Sequence, residues 1–232
     1  MDVLTVNNII FFLIVLQCDK VGTQAKGSAY IEMNKTKVIC SVYGPRQIPK
    51  KQDISINGLL TCELKFAPFS CRQRRQYQQD NEEKELSLLL KQALESAICM
   101  HTFPNASLDV YVSVLENDGS ALAAAITCAG LAIADSGIDM YDSIIGSSLK
   151  QNGDYTLLDP TYDEEMLKCD SSHGLVTIGY MPNKQQITAI QQSGILKQST
   201  LENAVTNLIE ACNRIYPLVK DCLVKSFLKQ DN

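Results

Sequence analysis

The sequence predicts an α+β domain, with strands and helices interleaved but lacking the strict alternation of a doubly wound parallel sheet. Three observations carry that prediction. Alternating apolar runs recur through most of the 232 residues, separated by Gly, Pro and Asn turn signals. Leu86, Leu89, Leu90, Ala93, Leu94, Ala97 and Ile98 fall at i, i+3, i+4 spacing, the mark of an amphipathic helix. Asn117–Ile138 (NDGSALAAAITCAGLAIADSGI) sets an Asp-Gly-Ser turn before a helix apolar on every side, which is therefore central.

The elements follow in order. Ser28–Met33 and Thr36–Tyr43 are β-branched or alternating runs around Asn34-Lys35, a hairpin, and Gly44-Pro45-Arg46 ends the second strand. After the polar loop Gln47–Asn57, Gly58–Phe66 alternates as a third strand with Leu60, Cys62, Leu64 and Phe66 on one face. Ala67–Asn81 is a basic, then glutamine-rich connection. Asp80 and Glu83 stand at capping-box spacing before the amphipathic helix. Pro104-Asn105 turns the chain into a strand at Leu108–Leu115. The central helix spans Ser120–Ser136, Tyr141–Leu149 reads as a strand, and Gln151–Asp154 as a turn. Leu157–His173 reads as a polar, acidic connection. Leu175–Met181 and Gln186–Gln191 form a hairpin around Pro182-Asn183. Ser199 and Glu202 make a capping box for a last helix, striped by Leu201, Val205, Leu208, Cys212, Ile215, Val219 and Cys222 and kinked at Pro217.

Composition limits the function classes. A hydrophobic content of 45%, a charged content of 20% and a formal net charge of -5 describe a soluble globular protein without bulk attraction to nucleic acid. An RNA contact therefore needs a local basic patch. The nine cysteines include no CxxC pair, and Cys99, Cys128, Cys212 and Cys222 lie in apolar helical stretches. That reads as reduced, buried thiols rather than a disulfide framework or zinc site. The apolar octet Ile9–Leu16 is too short to span a bilayer, and the only charge before it, Asp2, is negative where a signal peptide needs a positive one. It reads as a buried strand or an irregular segment.

Four segments carry a resemblance: GSAYIEMNKTKVICSVYGPRQ (Gly27–Gln47), GLLTCELKFAPFSCRQRRQ (Gly58–Gln76), the Asn117–Ile138 turn and helix, and LLDPTYDEE (Leu157–Glu165). In this order they resemble the RNase PH family over nearly the whole chain. The resemblance implies an RNase PH-like (S5-domain-2-like) fold, with mixed sheets packed against three main helices. It also implies a single domain at 23–232 behind a divergent apolar segment at 1–22.

Active members of that family hold phosphate on a Gly-Gly-Thr-Arg turn. The matching positions here are Gly119, Ser120, Ala121 and Leu122, so the arginine is a leucine. A second substrate-binding arginine corresponds to about Glu82, and the aspartate acid falls near His173, with Asp170 three residues away. Charge reversal beside a polyanion and loss of the acid both work against phosphorolysis. Arg72, Arg74 and Arg75 match the basic run that lines the RNA path in active relatives, with Lys65 upstream; arginine forks suit phosphate.

The resemblance thus implies a non-catalytic subunit of an RNA-exosome ring that supports 3′-to-5′ RNA processing and degradation without cofactor or metal. Its implied partners are other RNase PH-like ring subunits, exosome component 7 among them, an S1-domain cap protein, and RNA through the channel. The implied locations are nucleus, nucleolus and cytoplasm. The alternative is an active phosphate-dependent 3′-exoribonuclease with relocated groups such as Asp118 and Asp170. Taken alone, Asp118 reads as a helix cap. Asp135, Asp139 and Asp142 read as solvated helix-end and loop residues, and Asp159, Asp163, Glu164 and Glu165 as an acidic surface loop.

Overall fold

The computed structural model describes residues 14–17, 24–47, 57–153, 155–167 and 173–230. Its first sheet is built from β1 (Ile14–Gln17), β2 (Gly27–Met33), β3 (Thr36–Gln47), β4 (Leu59–Phe66) and β5 (Ala106–Glu116), in the spatial order β1-β2-β3-β5-β4. All neighbours pair antiparallel except β4 and β5, which run parallel. The helix α1 (Asn81–Glu95) makes the crossover between those two. The second sheet, in the order β7-β6-β8-β9, is wholly antiparallel: β6 (Ile145–Asn152), β7 (Tyr155–Leu158), β8 (His173–Met181) and β9 (Gln186–Ile195). The helices α2 (Ala121–Asp135), α3 (Tyr162–Glu165) and α4 (Gln198–Gln230) complete the α+β arrangement, with α3 a single turn.

The all-apolar helix is central, as its sequence requires. α2 lies between the sheets, against β2 and β3 on one side and β6 on the other. Ala123, Ala124, Ala125, Ala129 and Ala132 are fully buried. Small residues permit this spacing: a β-carbon at Gly146 of β6 would fall on the Ala123 backbone. α1 packs on β4 and α2, and α4 packs on β6 and β8.

Several boundaries differ from expectation, each for a tertiary reason. β3 continues to Gln47, because a register shift between Tyr43 and Arg46 absorbs Gly44-Pro45 before pairing resumes at Arg46 and Ser107. α1 stops at Glu95 although its stripe runs to Ile98. Ile98 forms a bridge with Met140, and Cys99 N–H donates to Asp139 O at 3.0 Å. Cys99 is therefore buried outside a helix. β6 begins at Ile145, not Tyr141, because Asp142 is used elsewhere. Only 7% exposed, its carboxylate accepts N–H groups from Ser143, Asn183 and Lys184 and ties down the β8–β9 turn.

The acidic connection contains β7 and α3. At the last helix, Leu201 N–H bonds Lys197 O and Glu202 takes the Gln198 side chain at 3.1 Å, so Ser199 lies inside the first turn and is not the cap. α4 runs on through Pro217.

Candidate functional site: the turn before α2 and the arginine loop

Asn117–Ser120 leaves β5 and turns into α2. Gly119 sits at φ 104 and Ser120 at φ 53, the left-handed region that favours glycine and costs other residues about 1 kcal/mol. Ser120, not Asp118, is the N-cap of α2. The turn is held from outside. Thr36 Oγ1 donates to Gly119 O at 2.8 Å and accepts from Asp118 N–H at 3.0 Å, and Tyr162 N–H donates to Asp118 O at 2.6 Å.

The N–H group of Ser120 already has an anion. Glu165 Oε1 accepts from it at 2.8 Å. Burial raises the Glu165 pKa above its ordinary value, opposed by that N–H and by Lys150, a buried residue of β6. Ser120 Oγ donates to Pro160 O at 3.2 Å and accepts from Ser148 Oγ at 2.6 Å. The hydroxyl is satisfied by a carbonyl and another hydroxyl, and no imidazole or carboxylate among the described residues hydrogen-bonds it to activate it.

The positions matched to phosphate ligands have other duties. Leu122 is 7% exposed and belongs to the hydrophobic core, with Ala121 packed against it. Glu82 Oε2 accepts from Arg75 Nη2 at 3.0 Å. His173 opens β8 and pairs with Asn152 and Ile195. Asp170 lies outside the described residues.

The arginine run lies beside this turn. Arg72 forms a two-pronged pair with Asp163 at 2.6 and 2.7 Å, and its guanidinium lies 4.9 Å from the Tyr162 ring centre. The hydrogen-bonded pair holds the Asp163 carboxyl below the ordinary carboxylate range. Arg75 stacks on Phe66 at 4.4 Å and donates from Nε to Cys71 Sγ at 3.2 Å. Arg74 is exposed and forms no ion pair among the described residues. Lys65 stacks over Tyr77 at 4.3 Å. Between the arginine loop and the turn lies a cleft of about 570 Å³, walled by Lys35, Lys37, Phe69, Arg72 and Asp118 among others.

The sequence reading placed Asp159 and Glu165 in an acidic surface loop and gave Ser148 no role. Thr161-x-x-Glu164 is a capping-box spacing, and it was the available signal for α3: Thr161 N–H donates to Glu164 at 2.7 Å. The acidic loop is thus mostly engaged, by Arg72, Thr161 and Ser120 in turn, rather than a solvated surface run. Among the described residues, no cluster of His, Cys, Asp or Glu is arranged to hold a metal ion.

A family model described as "3' exoribonuclease family, domain 1" (RNase PH) matches residues 13–139, a span that includes both the arginine loop and the turn. Exosome complex component MTR3 of Mus musculus is 39% identical over 221 residues, covering 88% of this chain and 80% of that protein. Exosome complex component Rrp41 of Cenarchaeum symbiosum is 32% identical over 204 residues, covering 88% and 82%. Among solved structures, rice Rrp46 superimposes with a TM-score of 0.79 at 21% identity, covering 92% of this chain and 95% of that one. A chain of the Archaeoglobus fulgidus exosome with RNA bound to the active site gives a TM-score of 0.75 at 19% identity, covering 89% and 88%. These two likenesses establish the fold, and the sequence matches establish the lineage: the chain belongs to the RNase PH family of 3′ exoribonucleases.

Proposed function

We propose that this chain is a non-catalytic structural subunit of an RNA-exosome core ring, of the mRNA-transport-regulator type (exosome component 6). The observation that carries the reading is the state of the phosphate turn. The arginine position is a core leucine, Leu122; the second arginine position is Glu82, paired with Arg75; and the Ser120 N–H group is held by Glu165. An anion placed there would meet two carboxylates and no free cationic fork, a repulsive field rather than a preorganised one. The similarity to exosome components MTR3 and Rrp41 supports the assembly.

In this reading the subunit closes a ring with other RNase PH-like chains, exosome component 7 among them, supports an S1-domain cap protein, and presents Arg72, Arg74 and Arg75 to passing RNA. It works in 3′-to-5′ RNA processing and degradation in nucleus, nucleolus and cytoplasm. The domain at 23–232 is the working unit, and no cofactor enters.

Native mass spectrometry of the chain co-expressed with the other ring subunits, followed by an assay of phosphate-dependent RNA decay, tests this. The expected result is incorporation into the ring, with any decay unchanged by Asp118→Asn. Phosphate-dependent decay abolished by Asp118→Asn, or exclusion from the ring, overturns the reading.

A further inference from the structure

The arginine loop also carries the two most exposed aromatic rings among the described residues, Phe69 at 72% and Tyr77 at 79%. They are not equivalent. Tyr77 already has one face covered by the Lys65 ammonium and is not among the residues lining the cleft. Phe69 lines the cleft beside Lys35, Lys37 and Arg72.

Phe69 is not exposed because its loop is loose. Ala67 N–H bonds Val114 O at 2.9 Å, Ser70 N–H bonds Ala67 O at 2.8 Å, and Asn117 N–H bonds Ser70 O at 2.9 Å. Arg75 N–H bonds Pro68 O at 3.1 Å, and Ser70 is only 5% exposed. The residues on both sides of Phe69 are pinned to β5 or to the loop itself, so the backbone that carries the ring is fixed. A loop ordered in advance loses little backbone freedom when a flat partner settles on the exposed ring.

We propose that Phe69 is a stacking platform for a base of single-stranded RNA, with that nucleotide in the cleft and its phosphate beside Lys35 and Arg72. This deepens the RNA contact proposed above and rests on it. The cleft volume of about 570 Å³ falls within the roughly 300–1,000 Å³ of small-ligand sites. The surroundings favour RNA over a protein partner. A protein hot spot is an aromatic anchor in an apolar, desolvated setting, whereas the cleft beside Phe69 is lined by three cations, Lys35, Lys37 and Arg72, and two carboxylates, Glu116 and Asp118. An aromatic platform beside cations is how single strands are bound without sequence readout. The carboxylates of Glu116 and Asp163 neutralise Lys37 and Arg72 in the free protein, so stacking carries the larger share of the contact.

The test compares assembled rings carrying native chain, Phe69→Ala or Phe69→Trp for binding of a fluorescent oligoadenylate at low and moderate salt. Phe69→Ala is expected to weaken binding at least about fivefold at both salts without changing the salt slope, and Phe69→Trp to retain it. Unchanged affinity in a correctly formed Phe69→Ala ring overturns the proposal. So does failure of that ring to assemble when the native one does, since Phe69 would then be a subunit contact. If the native chain itself enters no ring, the proposed function falls. The stacking inference is then decided on the free chain by photocrosslinking to bromouridine-substituted RNA: an adduct at Phe69 supports it, and adducts elsewhere without one at Phe69 sink it.

Discussion

Asp159 occupies the left-handed backbone region at φ 46, where Asn, Asp and Gly are the tolerated residues. Its N–H donates to Ser148 O at 2.9 Å, and its carboxylate accepts from Ser148 N–H at a long 3.4 Å. That contact offsets little of the cost of withdrawing the carboxyl from water, and burial pushes its pKa up to about 6. The folded state therefore binds the proton more tightly than the unfolded chain, whose value is about 3.9. Stability falls as pH rises from about 4 to about 6 and stays at the lower level above that window. Asp159→Asn keeps the acceptor, the shape and the tolerance of positive φ while removing the charge. Its Tm at pH 7 should exceed that of the native protein, by an amount corresponding to about 1–2 kcal/mol after allowance for relaxation, and the gain should vanish near pH 4. Thermal melts across that range check this, and an equal or lower Tm at pH 7 refutes it. In sequence Asp159 was one acid among four. What made it distinct, Ser148 pairing with it from another strand, is not written within reach of local pattern.

At the scale of elements, the first sheet has an edge to protect, and α1 protects it. β4 ends the sheet, and its outward N–H groups at Leu64 and Phe66 would be open to pairing with another chain. Ser87 Oγ accepts from Leu64 N–H at 2.8 Å and Glu83 Oε1 accepts from Phe66 N–H at 2.9 Å. The second Glu83 oxygen accepts from Asp80 N–H at 3.1 Å and completes the helix start. One buried carboxylate, 3% exposed, thus caps both the helix and the strand edge. Glu83→Ala leaves two N–H groups without acceptors and should cost about 2–4 kcal/mol. Glu83→Gln keeps an acceptor and should cost less than half of that. Urea unfolding of the two variants decides: equal losses would mean that packing, not hydrogen bonding, is what Glu83 supplies. The Asp80–Glu83 spacing made the helix start legible in advance, but not the bond to Phe66, which exists only once α1 lies along β4. The same asymmetry runs through the fold. α1 and β5 were readable because one face of each is core, and α2 because it is apolar on every side. β7 and α3, four residues each, are too short for periodicity to register. The Asn117–Ser120 turn was legible as a turn into a helix, and so was the apolar character of Leu122. Its occupation by Glu165 was not, because that carboxylate arrives from a helix the acidic composition concealed.

At the scale of the whole molecule, a chain of net charge -5 repels a polyanion at long range, and any attraction must be local and screened within about 10 Å at ordinary salt. The three arginines differ in what they can offer. Arg72 and Arg75 are already held by Asp163 and Glu82, so gaining a phosphate means giving up a carboxylate, and few counterions are released on balance. Arg74 has no such competitor among the described residues. If each arginine acted as an independent phosphate ligand, replacing all three would reduce the salt slope of RNA binding by about 2, at roughly 0.7 per contact with a single strand. The pairing predicts less. Arg74→Ala alone should remove about 0.7 of slope in the assembled ring, and adding Arg72→Ala and Arg75→Ala should lower affinity further with little additional change. Removing the charge of a competitor should act the other way: Asp163→Asn frees Arg72, and should tighten binding and steepen the slope. Titrations of the ring with a labelled single strand at several salt concentrations separate the cases. A full slope loss of about 2 in the triple variant, together with no effect of Asp163→Asn, would show that the ion pairs open freely and that the loop presents all three cations to the channel.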